Sequence, residues 1–447
     1  MKPFSAILIS FNIIVITLSS TALSDEFSPD SIIGITKRVA SYHMKAGPIY
    51  PNTWDGGAYL TGIMAMYRIT KDPAYLTYAT QWAVKFAWLP AITPLTTLAD
   101  DICCFQTYCE IYLCNPKPEN DSMIAKVRAN LENLFYVVKT PQPHTLWSWD
   151  DALYMAPPAV SRYSRAINNN AFIDTLDRYW WDVSGFLYDT SYHLWYRDGG
   201  FKTQKAANGQ PVFWSCGVAW VYGGMTRVLQ DIPLTHPARS KWLTQFGNMA
   251  AAIKAEQGMN NTQYSGLWTT SMRDHTQWPD PESSASAFFC FGMAWGINNH
   301  VLDSAQYIGC ARTAWRDLVA NVGTDGSLQR CEDVSDQPAS INVGHSSFEG
   351  EGAFMLAGEE MWKMATHATV SVKRNIRDVH SESGMSRPLF VAIGQSAAVA
   401  VPPRARRASL FDASGRCVWM RDVTNESRIR VPVLLGENRL LMIRFGF

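Results

Sequence analysis

From residue 31 to about residue 368 this chain repeats one pattern, apolar side chains at helical spacing. The stretches are 31–45, 56–71, 74–88, 98–114, 121–138, 150–167, 169–187, 214–230, 238–258, 283–301, 305–321 and 349–367. Pro, Gly, Asn and Asp separate them, as in Lys71-Asp72-Pro73 and Gln230-Asp231-Ile232-Pro233. An amphipathic helix is stable only when its apolar stripe is covered by another element. Twelve of them with no strand-rich interruption suit an α/α toroid, six helical hairpins closed into a ring.

The two ends of the chain read differently. Lys2, the apolar run Ile7 to Leu18 and the small-x-small site Ala22-Leu23-Ser24 form a secretory signal peptide over residues 1–24. That leaves a helical domain over 25–368. Beyond it, Thr369-Val370-Ser371-Val372-Lys373 and the small, polar Ser381 to Arg387 read as a first strand and linker over 369–387. β-forming runs from Pro388 to Phe445, with a turn at Asp412-Ala413-Ser414-Gly415-Arg416, predict a small β-sandwich over 388–447.

Composition removes several function classes. Lys+Arg and Asp+Glu are both 39, so no basic surface points to a nucleic-acid partner. No stretch reaches the ~18 uninterrupted apolar residues of a stable membrane insertion. Nine Cys leave at least one thiol free or paired between molecules, and none sits at zinc-finger spacing. Seventeen Trp and eighteen Tyr suit either a core or the stacking of sugars.

One segment carries chemistry, Trp147-Ser148-Trp149-Asp150-Asp151-Ala152-Leu153-Tyr154-Met155. Two adjacent carboxylates among aromatic and apolar side chains are costly to keep ionised, which raises their pKa and suits a general acid. The alternative is a helix start, with Asp150 as N-cap and Asp151 at the positive end of the dipole. Asp100-Asp101 has the same two readings.

The helical part resembles the unsaturated glucuronyl and rhamnogalacturonyl hydrolases, glycoside hydrolase families 88 and 105. The resemblance rests on Trp54-Asp55-Gly56-Gly57-Ala58-Tyr59, Ala99-Asp100-Asp101-Ile102, Trp149 to Met155, Phe213-Trp214-Ser215-Cys216-Gly217-Val218-Ala219-Trp220 and Pro281-Glu282-Ser283-Ser284-Ala285. Gly292 to Asn298 and Gly352 to Gly358 complete the order. It implies a mainly α fold, an (α/α)6 barrel, and an oligosaccharide substrate with a 4,5-unsaturated uronic acid at its non-reducing end. It implies acid-catalysed hydration of the double bond with no metal or organic cofactor. The family's acid/base aspartate falls on Asp151 and its earlier aspartate on Asp100. Trp54, Trp149 and Trp214 fall where the family lines its pocket with rings. His193 and Arg197 lie in its sugar-contacting loop, and Glu282 and Ser284 in a further substrate-binding segment.

Cys216 and Val218 depart from the family pattern, which has an arginine and an asparagine there. Arg197 or Arg273 would have to replace that cation for an anionic sugar. Two other functions therefore stay open, a conventional two-carboxylate glycosidase using Asp100 and Asp151, and a non-catalytic sugar-binding protein. The tail, through Leu410-Phe411-Asp412-Ala413-Ser414-Gly415-Arg416-Cys417-Val418-Trp419, resembles the C-terminal sorting domains of type IX secretion substrates.

Overall fold

A computed structural model describes residues 26–45, 51–92, 95–117, 120–137, 142–259 and 263–378, and six strand segments between 389 and 446. The expected signal peptide lies outside the described residues. The helices are α1 (Pro29–Lys45), α2 (Trp54–Thr70), α3 (Pro73–Lys85), α4 (Phe105–Cys114), α5 (Asp121–Val137), α6 (Ala152–Met155), α7 (Pro157–Ala166), α8 (Ala171–Leu187), α9 (Ser215–Leu229), α10 (Arg239–Ala255), α11 (Ser283–Asn298), α12 (Ser304–Ala320) and α13 (Phe348–Asp378). The single turn α6 and the longer α7 form one interrupted helix. Pro157 and Pro158 lack the N–H groups that would continue α6.

Burial sorts these helices into two rings. Every residue of α9 is buried, as are Ser283 to Ile297 of α11 and Gly56 to Met66 of α2. Of the helices that alternate with them, α1 buries only Ile32, Thr36, Val39 and Ala40, and α12 buries a stripe from Tyr307 to Leu318. An all-round buried helix alternating with an amphipathic one is the signature of an inner ring wrapped by an outer ring. α2, α4, α6–α7, α9, α11 and α13 form the inner ring.

The ring closes where α2 meets α13. A Cβ on Gly352 would lie 2.5 Å from the Ala58 carbonyl oxygen, so the two backbones touch only because residue 352 is glycine. Nearby, Arg68 grips Glu359 through two nitrogens at 2.8 and 2.7 Å. Arg68 also reaches Glu110 at 2.8 Å, and Glu110 takes Arg162 at 2.9 Å and Arg227 at 2.7 Å. Arg162 continues to Asp231. Burial alone would raise Glu110, but the three guanidiniums together hold it far below the usual carboxylate range.

Short ladders decorate the loops, β1 (Tyr188–Asp189) with β2 (Leu194–Trp195) and β3 (Trp268–Thr269) with β4 (Pro281–Glu282). The chain divides into two compact units between Trp362 and Lys363. α13 runs on to Asp378, so Thr369 to Lys373 is helical, against the expected strand. A nucleated helix gains one hydrogen bond per added residue, and the preference of Val and Thr for strands is too weak to stop it.

In the second unit the strands are β5 (Leu389–Val391), β6 (Ala398–Ala400), β7 (Arg407–Phe411), β8 (Cys417–Asp422), β9 (Arg428–Arg430) and β10 (Leu441–Gly446). They form an antiparallel sheet of order β5-β10-β7-β8 and a separate ladder of β6 with β9. Ile443 pairs with Leu410 and Leu389, and the register shifts between Leu410 and Phe411.

Candidate active site

The N-terminal ends of the inner helices meet at one mouth. Trp54 opens α2, Asp100 begins a short turn before α4, Asp151 precedes α6, Trp214 precedes α9, Ser284 lies in the first turn of α11 and Glu349 in that of α13. They line one cavity of about 190 Å³ with Trp149, Met155, Arg197, Cys216, Trp220, Phe288 and the Glu332 to Ser335 segment. The positive dipole ends of these helices favour an anion.

The backbone leading into Asp151 is tied to the segment Arg197–Asp198. The Asp150 N–H donates to the Arg197 carbonyl at 2.8 Å, and Trp149 bridges Asp198. Those contacts bring the Arg197 side chain to Asp151. Its Nη1 donates to Asp198 at 2.8 Å, and its Nε has no partner. Burial pushes Asp151 well above the ordinary carboxylate range, and Asp100 adds to this. Arg197 and the Asp150 side chain pull the other way. Asp100 rises to about 6, through burial and then Asp101, with Arg197 opposing.

Asp150 does not cap a helix. The N-cap position of α6 falls on Asp151, which makes no side-chain capping bond, and the Asp150 side chain is fully buried against Gly217.

The opposite wall is a chain of carboxyl groups. Trp214 Nε1 donates to Glu332 at 2.8 Å, and the Cys216 thiol donates to the same oxygen at 3.1 Å. Burial and the neighbouring Glu282 raise Glu332 to about 8, so it is mostly neutral at pH 7. Burial raises Glu349 to about 7. Cys216 thus occupies the predicted arginine position as a partner of Glu332, and the thiol itself stays protonated because burial raises it.

Of the expected site residues, Asp100, Asp151, Trp54, Trp149, Arg197, Trp214 and Ser284 share this cavity. Glu282 and His193 do not. Glu282 is fully buried, where it accepts N–H bonds from Ser284 and Ala285 as the N-cap of α11 and another from Glu332. Those donors use the oxygens that a sugar would need. His193 turns the β1–β2 hairpin with φ of 57°, and its Nδ1 pairs with the Tyr188 hydroxyl at 2.9 Å. Arg273 is engaged elsewhere, with Glu256 and over the Tyr192 ring. Sequence reasoning missed Glu332 and Glu349. Glu332 lies in irregular chain with no motif around it, whereas Glu349 sits in the Gly-rich run Gly344 to Gly352, a composition that suits a loop beside a pocket mouth.

The description Glycosyl Hydrolase Family 88 matches residues 33–365. An unsaturated 3S-rhamnoglycuronyl hydrolase of Formosa agariphila is 29% identical over 337 residues, 72% of this chain and 88% of that protein. Among solved structures, a glycosyl hydrolase family 88 protein from Bacteroides vulgatus superposes with a TM-score of 0.69 at 28% identity, covering 75% of this chain and 99% of that one. A protein described as a polysaccharide lyase gives a TM-score of 0.68 at 29% identity, covering 80% and 99%. The barrel, its acid-lined mouth and the match across most of its length place the chain in glycoside hydrolase family 88.

Proposed function

We propose that this enzyme removes 4,5-unsaturated uronic acid from the non-reducing end of lyase-generated oligosaccharides of the pectin or rhamnogalacturonan type. The observation that carries the proposal is Asp151, a buried carboxyl group raised to about 7, at the edge of an aromatic cavity and beside a guanidinium whose Nε has no partner among the described residues. Arg197 holds the uronate carboxylate. Asp151 then protonates C4, its O–H bond breaking as the double-bond electrons form C4–H. Water adds at the cationic C5 and returns a proton to Asp151. The hemiketal opens and the glycosidic bond breaks. Asp100 binds the sugar or orients Asp151, and Trp54, Trp149 and Trp214 stack on the ring and exclude water. The reaction so written uses no metal or organic cofactor.

The name of the Formosa relative, an unsaturated rhamnoglycuronyl hydrolase, supports this substrate class. The signal-peptide pattern in the sequence of residues 1–24 supports action outside the cytoplasm, and the C-terminal strands support a sandwich that serves as a sorting domain.

A second reading follows from the relative described as a lyase. A lyase needs a base to remove the C5 proton, and a carboxyl held neutral is poorly suited to that task. One measurement separates the two, the ultraviolet absorbance of the unsaturated uronate. Hydration removes the chromophore and elimination creates it. We expect loss of absorbance with wild type and none with Asp151→Asn. A gain on intact polysaccharide, or equal loss in the variant, would sink the hydration reading.

A further inference from the structure

Asp150 is a fully buried acid next to the catalytic one, and the mechanism does not use it. Among the described residues no side-chain donor reaches either of its oxygens, and the Asp151 backbone N–H offsets the burial only in small part. On one side a Cβ at Gly217 would lie 2.3 Å from Oδ2, so α9 packs its bare backbone against the carboxyl. The side chain within hydrogen-bonding reach of the Asp150 carboxyl is the carboxyl of Asp151. A charged carboxylate in that place would be fully buried with no cationic or side-chain donor bonded to it, an arrangement proteins avoid by neutralising the group. A neutral carboxylic acid there carries one O–H, and that O–H has one acceptor to find.

We propose that Asp150 is a permanently protonated positioning residue that donates a hydrogen bond to the Asp151 carboxylate formed as the catalytic proton leaves. The proton of Asp150 stays on Asp150 throughout. Before transfer both carboxyls are neutral and the bond between them is ordinary. After transfer the acceptor is an anion and the bond is charge-assisted. The interaction therefore strengthens along the reaction coordinate, which is the condition for accelerating a step rather than tightening binding. The other charged groups facing the pair are Arg197, which favours the ionised form of both, and Asp100 and Asp336, which oppose it at Asp151.

The catalytic half of this inference rests on Asp151 as the acid, and the protonation half does not. Two measurements keep them apart. The first is an infrared difference spectrum at neutral pH, wild type minus Asp150→Asn. A carbonyl band of a protonated carboxylic acid is expected in wild type and lost in the variant. Absence of that difference band would overturn the proposal whatever the substrate proves to be.

The second is kinetic, on lyase-generated uronides. Asp150→Ala should lower kcat about 10- to 100-fold, the range of one charge-assisted hydrogen bond, with little change in KM. Its alkaline limb should move to higher pH, because the Asp151 anion loses a donor. Asp150→Asn, which keeps an N–H donor in the same shape, should recover most of kcat. An alkaline limb that moves down in Asp150→Ala would mean that Asp150 is ionised, and identical kinetics for both variants would reduce it to a filler. Either result overturns the proposal. Wild type that hydrates no unsaturated uronide would refute the proposed function, while the infrared band would still decide the state of Asp150.

Discussion

At the scale of single residues, the site works by keeping acids uncharged. Asp151 is protonated well above the usual range near ~4 because burial outweighs the pull of Arg197. The active form is thus the one abundant at low pH, and kcat should fall as pH rises through that raised pKa. A pH profile of kcat checks this, and an alkaline limb near ~4 would show that Asp151 is an ordinary solvated carboxylate. Much of this was legible in the sequence, because acids flanked by Trp149, Leu153 and Tyr154 announce their own desolvation. What local reading could not supply was direction. Asp150 and Asp151 are neighbours with the same surroundings in sequence, yet one faces Gly217 and the other the cavity. Glu282 failed for a related reason. A carboxylate before Ser-Ser-Ala can either bind a sugar or cap a helix, and only the orientation of the Ser284 and Ala285 N–H groups decides.

At the scale of elements, the period of 3.6 residues gave all six helical pairs, and burial showed which member of each pair is inside. The difference was already present in composition. α11 reads Ser-Ser-Ala-Ser-Ala-Phe-Phe-Cys-Phe-Gly with no charged residue, whereas α12 mixes Gln306, Arg312, Arg316 and Asp317 into its stripe. The order of the ring, and so the meeting of α2 with α13, is not written in any local window. Gly352 marks that meeting. Gly352→Ala should destabilise the barrel by about 1–3 kcal/mol, the usual cost of overpacking, since the obstacle is backbone that cannot rotate away. Denaturant unfolding would check it, and an unchanged midpoint would show that α2 and α13 can separate at no cost.

At the scale of the whole barrel, the two ends respond to acid in opposite senses. At the mouth, Glu332, Glu349 and Asp151 bind protons more tightly folded than unfolded, so their contribution to stability declines as pH rises from ~4 towards their raised values. At the other end Glu110 is depressed by Arg68, Arg227 and Arg162. Its contribution is complete above the unfolded value near ~4.3 and is lost as pH falls towards the folded one. Glu110→Gln leaves three guanidiniums short of a partner and should cost roughly 3–5 kcal/mol at pH 7. The loss should shrink in acid, where wild type is losing the same interaction. Thermal melts of both proteins at pH 7 and about pH 2.5 would measure it, and a pH-independent difference would remove Glu110 as the acid-sensitive element.

The pairing of Arg68 with Glu359 spans 291 positions of the chain. During synthesis the ribosome must therefore deliver almost the whole barrel before its first inner helix meets its last. Until then α2 has one flank uncovered, and the nascent chain waits as an open horseshoe with an apolar seam along each free edge. A chaperone that shields such seams, or prompt completion of the chain, is what this closure demands of the cell that makes it.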